Sequence, residues 1–225
     1  MRHKKTAPTT SHISPWLYWG LWPIHRLFLP LYFSRITIVG REQLPKEGHF
    51  LLAPKHCSRW DPVILPLVWP YPLRFMTNAI EFGGVQGWFI RRLGAFAVNL
   101  NRPQPSSLRH ALEILNAGQP LVIFPEGGIV RDQVVRPLKP GLARLVLQAD
   151  RPLPIFPVGI AYDPQPQFRA RVALWIGSPL WTPAERQGNL KQQAQELTQQ
   201  LQAALHAAVL EARQCANPRA NRPSL

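Results

Sequence analysis

The chain reads as an α/β protein: a mixed, largely parallel sheet flanked by helices, with an N-terminal aromatic-rich, membrane-associating helical segment. Three observations predict this. Short β-branched or continuously apolar runs alternate with stretches of helical period. One run, Leu121 to Phe124, is apolar without alternation, as a strand covered on both faces of a parallel sheet tends to be. Polar, chemistry-bearing residues follow directly on three of the runs, where sheets of this class bind ligands. The 225 residues are enough for one domain with a real core and an appendage.

In chain order, Trp16 to Phe33 is crowded with aromatic and aliphatic residues, with Trp16, Trp19 and Trp22 at helical spacing. Pro23, His25, Arg26 and Pro30 interrupt it, so it falls short of the ~20 uninterrupted apolar residues of a spanning helix. Trp and Tyr favour the membrane interface, and the flanking Lys4, Lys5, Arg26 and Arg35 favour anionic headgroups. The alternative is a helix packed on the domain. Ile36 to Gly40 is a short strand, and Glu42 to Gly48 a polar loop. Phe50 to Ala53 is a buried strand that Pro54 stops. Asp61-Pro62 starts the next helix, with Asp61 as N-cap and Pro62 at the first helical position. Leu73 to Thr77 and Ala95 to Asn99 are strands around a short helix, Gly83 to Leu93. Ser106 and Ser107 cap a helix carrying Leu108, Ala111, Leu112 and Leu115 on one face, closed by Gly118. After Leu121 to Phe124 comes a tight turn, Pro125 to Gly128. Gly141 to Ala149 is helical, and Ile155 to Ile160 and Arg171 to Ile176 are strands. The stripe Leu190, Ala194, Leu197, Leu201, Leu205, Ala208 and Ala212 makes Asn189 to Arg213 the clearest helix. The expected division is a membrane-interface segment over 1–34, an α/β domain over 35–216 and a flexible tail over 217–225.

Lys and Arg number 26 against 12 acidic residues, a formal charge of +14, which favours an anionic partner: a phospholipid surface, a nucleic acid or a phosphorylated substrate. The arginines are scattered and no nucleic-acid-binding motif is present, so no nucleic-acid partner is expected. Two cysteines, Cys57 and Cys215, are too few for a disulfide framework and fit a reducing compartment. No Cys/His cluster has zinc spacing, so no metal is expected. The N-terminus lacks the continuous apolar core of a secretory signal.

The stretch that carries chemistry is FLLAPKHCSRWDP, residues 50–62. His56 sits on the turn leaving a strand, and Asp61 follows five residues later where the next element begins. A turn of that length can fold the carboxylate onto the imidazole, fix its tautomer and leave the other ring nitrogen as a base. That is two-thirds of a hydrolase triad, and a substrate hydroxyl can stand for the missing nucleophile. Cys57 beside His56 offers a covalent alternative, although neighbours in an extended segment point to opposite sides. Ser58 can share a side with His56 and add a hydrogen bond. A second motif, FPEGG at 124–128, puts glycines at a strand end, where backbone N–H groups can approach an anion. Glu126 there either hydrogen-bonds a hydroxyl or holds the loop.

With these residues in view, the sequence resembles the glycerolipid acyltransferases, the family that includes lysophosphatidate acyltransferase. The family pattern is matched in order by His56 with Asp61, by GWFIRRLGAFAVNLNR from Gly87 to Arg102, by FPEG from Phe124 to Gly127 and by LPIFPVG from Leu153 to Gly159. Lys139-Pro140-Gly141 matches a basic-Gly element that the family often has. The sequence departs from the pattern at Lys55, where the family commonly has Asn, and after Gly127, where Gly128-Ile129-Val130 replaces Thr-Arg and Arg131 comes two places late. The resemblance implies transfer of a fatty acyl group from a thioester, on coenzyme A or acyl carrier protein, to the hydroxyl of a lysophospholipid, 1-acylglycerol-3-phosphate above all. It implies His56 and Asp61 as catalytic residues, and Arg102, Glu126, Gly127, Arg131 and Ser58 around the acceptor. No cofactor is expected beyond the acyl thioester co-substrate, and the expected location is the cytoplasmic face of a membrane. A non-catalytic membrane-attachment protein, the rival class, would not need His56, Asp61 and FPEG together.

Overall fold

A computed structural model of the chain describes residues 7–132, 134–183 and 189–217. Lys4, Lys5 and the expected tail beyond Asn217 lie outside the described residues. Helix α1 (Pro15–Tyr32) leads into strand β1 (Arg35–Val39), and β2 (Leu51–Pro54) follows a loop that starts with a 3₁₀ turn. Helix α2 (Asp61–Ile64) continues as a 3₁₀ turn over Leu65–Leu67. Next come β3 (Arg74–Asn78), a 3₁₀ turn over Ala79–Phe82, α3 (Gly84–Arg92) and β4 (Ala95–Val98). Helix α4 (Pro105–Asn116), β5 (Leu121–Val122), α5 (Gly141–Val146), β6 (Pro154–Asp163), β7 (Arg171–Ile176), β8 (Leu180–Trp181) and α6 (Leu190–Ala216) complete the order.

The strands form one mixed sheet in the order β1-β7-β6-β2-β5-β3-β4, with β8 paired to the start of β6. Only β6 runs antiparallel to its neighbours β7 and β8; the other pairs are parallel. The expected α/β class is therefore what the chain adopts.

Side-chain alternation along the strands divides the core into two layers. Phe50, Leu52, Phe156, Val158 and Ile160 face α2 and the end of α1, where Leu29 and Phe33 are buried. Leu51, Ala53, Leu121 and Ile155 face α4, α5 and α6. Along the second half of α6 the contact is made by small residues, Ala161 and Ala173 of the sheet against Ala212 and Ala216, which lets the long helix lie close to the strands. Helix α1 thus packs on the domain by one side and presents Trp16, Ile24, Leu27 and Leu31 to solvent on the other. No helix among the described residues is long and apolar enough to cross a membrane.

Two expected caps are placed differently. Asp61 is the first residue of α2 rather than its N-cap, which is Trp60. Ser107 does not cap α4, whose N-cap is Gln104; the buried Ser107 hydroxyl donates to the Ala97 carbonyl at 2.7 Å. Ser107 is drawn to a tertiary acceptor, and Asp61 to the donors of the turn before it and to Tyr162. The strand expected over Leu121 to Phe124 is regular only over Leu121–Val122, though the Ile123 N–H still donates to the Leu52 carbonyl at 3.1 Å. The strand expected over Ile155 to Ile160 runs on to Asp163.

Candidate active site

The parallel pairing of β2 with β5 and with β6 brings three carboxyl ends side by side. Beyond β2 the chain is held in a turn by Asp61. Its Oδ2 accepts the Cys57 N–H at 2.7 Å, the Ser58 N–H at 2.8 Å and the His56 Nδ1 at 2.9 Å. Its Oδ1 accepts the Tyr162 hydroxyl at 2.7 Å, and the Cys57 thiol lies 3.8 Å away. Asp61 is fully buried, and a buried carboxylate is tolerated when its lone pairs are taken by donors in this way. With Nδ1 on a carboxylate, the ring is fixed in one orientation and Nε2 is the nitrogen left for chemistry. The ring lies flat on Phe124, with centroids 4.0 Å apart, and its side chain is 16% exposed. It is accessible from one side and immobile on the other.

Tyr162 escaped the sequence reading. It ends the alternating series Val158, Ile160, Tyr162 on β6. The only signal is a hydroxyl in an otherwise aliphatic row, which needs a buried partner. Burial and the Asp61 charge push its phenol far above the usual range, so it remains a donor to Asp61.

Beyond β5, the FPEG turn closes by a Gly127 N–H to Phe124 carbonyl bond of 3.1 Å, with Gly127 at φ +70°, a conformation that favours glycine. The Glu126 carboxylate turns inward and is fully buried. It accepts Lys55 Nζ through both oxygens at 2.9 Å, the His56 N–H at 3.2 Å and the Arg136 N–H at 2.9 Å. Of the two uses open to Glu126, the geometry realises the second: it holds the loop. Lys55 is itself fully buried, so the residue that departs from the family pattern forms an ion pair with the second motif.

The remaining expected residues are placed as follows. Ser58 is buried; its N–H goes to Asp61 and its Oγ accepts the Trp60 N–H at 3.1 Å. Arg131 is exposed and follows Val130, whose N–H donates to the His56 carbonyl at 2.8 Å, so its backbone starts beside the His56 turn. Arg102 is exposed on the loop after β4, the strand three positions from β2 in the sheet. The described structure brings His56, Asp61, Glu126 and the backbone of Arg131 together. A second cation is near: a Cβ on Gly127 would lie 4.0 Å from Lys139 Nζ. Cys57 is buried, and burial with the Asp61 charge pushes its thiol well above the usual range.

A buried carboxylate on one nitrogen of a partly exposed, stacked imidazole equips that imidazole to accept a proton from a hydroxyl and to hold the charge that results. Among the described residues, no group of His, Cys, Asp and Glu is arranged to hold a metal ion.

Comparison with known proteins is consistent with this chemistry. The sequence profile of the Acyltransferase family matches residues 35–161. Over 148 residues the chain is 28% identical to a 1-acyl-sn-glycerol-3-phosphate acyltransferase of Bacillus subtilis (strain 168), covering 64% of this chain and 73% of that protein. Over 84 residues it is 32% identical to a protein of the same name from Streptococcus pneumoniae (strain ATCC BAA-255 / R6), covering 36% and 31% respectively. Its fold is similar to that of the crystal structure of the 1-acyl-sn-glycerophosphate (LPA) acyltransferase, PlsC, from Thermotoga maritima, with a TM-score of 0.68 at 23% identity over 93% of this chain and 83% of that one.

Proposed function

The chain belongs to the acyltransferase family, and from that premise we propose that it transfers a fatty acyl group from an acyl thioester, on coenzyme A or acyl carrier protein, to the hydroxyl of a lysophospholipid, with 1-acylglycerol-3-phosphate as the acceptor. The observation that carries this reading is the His56 Nδ1 to Asp61 Oδ2 contact of 2.9 Å, made by an aspartate with no exposed surface. In it, His56 Nε2 takes the proton of the acceptor hydroxyl as the oxygen attacks the thioester carbonyl. Asp61 steadies the imidazolium. The tetrahedral intermediate collapses with loss of the thiolate, which recovers the proton from His56. The Gly127 N–H is already used within its turn, so the N–H of Gly128, next along the chain, is the donor assigned to the oxyanion. Arg131, Lys139 and Arg102, the last from the loop after β4, hold the acceptor phosphate. Glu126, Gly127 and Ser58 shape the pocket without touching the acceptor.

The exposed face of α1 supports attachment to the cytoplasmic face of a membrane, where such an acceptor resides. The exposed Trp16 and Trp19, with Arg26 lying 4.4 Å over Trp22, suit a headgroup layer.

The test is purified full-length protein with labelled acyl-coenzyme A or acyl carrier protein and a panel of lyso-lipids. Product is expected with lysophosphatidate above lysophosphatidylcholine or lysophosphatidylglycerol, since these cations favour a phosphate monoester. Transfer to none of the acceptors would overturn the proposal. Direct transfer also requires no protein thiol. Cys57→Ser is expected to keep near wild-type turnover. Alkylation of the native protein at pH 8 should reach Cys215 before Cys57, because both thiols are pushed up but Cys57 is buried, beside the Asp61 charge, whereas Cys215 is partly exposed. Peptide mass mapping reads the outcome, and acyl label on Cys57 without acceptor would establish a covalent route instead.

A further inference from the structure

The outward face of α3 is apolar. Val85, Trp88 and Phe89 recur at the spacing of one helix face and are all exposed, as is Ile80 in the 3₁₀ turn before the helix. Ile80 and Val85 are 77% and 74% exposed. The helix seats itself through Gly87 instead, where a Cβ would come within 2.1 Å of the Phe82 carbonyl oxygen. A helix on a water-facing surface has the opposite polarity, with its apolar stripe inward. The helix, GVQGWFIRR, contains no acid and ends in Arg91 and Arg92. The Arg92 guanidinium lies 4.0 Å over the Trp88 ring, a pairing at home where apolar and charged layers meet. The neighbouring acid Glu81 is engaged by Arg59 at 3.5 Å and by Gln86 at 2.6 Å.

The placement of this face relates it to the active site. The 3₁₀ turn follows the carboxyl end of β3, the same end of the sheet as His56, and the Arg59–Glu81 pair ties it to the His56–Asp61 turn. On its other side the turn is tied to α1: Trp60 packs on Tyr32 at 4.3 Å between ring centroids, and His25 Nε2 lies 2.6 Å from the Val63 carbonyl. The start of α1 and the end of α3 also meet, the Ser14 N–H donating to the Arg92 carbonyl at 2.9 Å. The catalytic turn is therefore linked on both sides to elements with exposed apolar surface.

We propose that the outer face of α3 is a second lipid-contacting surface, which inserts into an anionic bilayer together with α1 and holds the His56 turn at the bilayer surface. Arg91 and Arg92 on an acid-free helix, in a chain of formal charge +14, select anionic over zwitterionic lipid. Two separate contacts fix the orientation of the domain on the membrane, which one helix does not. The inference rests on the proposed function only in that the acceptor is carried by the same bilayer.

The test is co-sedimentation of the full chain with phosphatidylglycerol or phosphatidylcholine vesicles. An Ile80→Ser/Val85→Ser double variant should partition about tenfold less onto phosphatidylglycerol, the effect of losing partial burial of two aliphatic side chains. Its turnover on a short-chain lysophosphatidate, dissolved as monomers, should stay within about twofold of wild type, as for other surface substitutions. Arg92→Gln should weaken binding to phosphatidylglycerol and leave phosphatidylcholine unchanged. Unchanged partition of the double variant overturns the proposal. So does self-association of the lipid-free wild type that the double variant lacks, which would make this face an interface between copies. Vesicle binding that depends on Ile80 and Val85, in a protein that transfers no acyl group, would overturn the proposed function and leave the lipid surface standing.

Discussion

His56→Ala is expected to lower acyl transfer by about 10²–10⁴-fold, the usual contribution of a positioned general base, while the melting temperature changes little. The ring is partly exposed and contacts one aromatic face, so its removal takes little from the core. Asp61→Ala should separate from it in stability. Asp61 receives the N–H groups of Cys57 and Ser58 and the Tyr162 hydroxyl as well as His56. Its loss leaves several buried donors unpaired and costs roughly 3 kcal/mol or more, well above the ~1 kcal/mol of a helix cap. Turnover with purified protein, set beside thermal melts, distinguishes a base from a residue that organises the turn. Near wild-type turnover in folded His56→Ala protein would exclude the mechanism.

The largest stability effect is expected at Glu126. Glu126→Gln retains the size of the side chain, but its one carbonyl oxygen can accept only one of the His56 and Arg136 N–H groups, which bond different carboxylate oxygens, and it leaves the Lys55 ammonium buried without a counter-charge. Breaking a buried pair from one side costs about 3–5 kcal/mol. Adding Lys55→Met removes the bare charge and should restore much of that loss, since a buried pair replaced as a unit is often close to neutral. Denaturant midpoints of the two single variants and the double variant form a cycle whose coupling term is the measured quantity. A Glu126→Gln cost below about 1 kcal/mol, within the range of an exposed pair, would show that the ion pair is solvated. The pair also joins β2 to the FPEG turn, so Glu126→Gln should lower turnover by loosening the His56 backbone, and the double variant should recover stability more fully than activity.

The elements legible in the sequence were those whose cause is local. The period of α6, the apolar runs of β2 and β6, and the Gly127 turn follow from neighbouring residues, and their boundaries shift by a few positions at most. The His56–Asp61 pair belongs with them, because five residues of turn suffice to bring imidazole and carboxylate together. Both misplaced caps, Asp61 and Ser107, were polar groups that a local reading assigned to the nearest helix end; the structure employs Asp61 in the turn before it and against Tyr162, and Ser107 on the Ala97 carbonyl.

What the sequence alone determined is the α/β class, the catalytic-type pair and the glycine turn, since each needs only chain within reach of itself. What the tertiary structure alone decided is strand order and everything that crosses it. That order set the FPEG turn next to His56 and put Arg102 on the loop after the strand three positions from β2. It paired Lys55 with Glu126 across 71 residues and gave Asp61 its Tyr162 partner across 101. A buried cation announces that it needs an anion, and a buried hydroxyl that it needs an acceptor. Neither identifies the partner, because the distance between them in space is set by the hydrogen-bonded pairing of strands, which hydrophobic period does not encode.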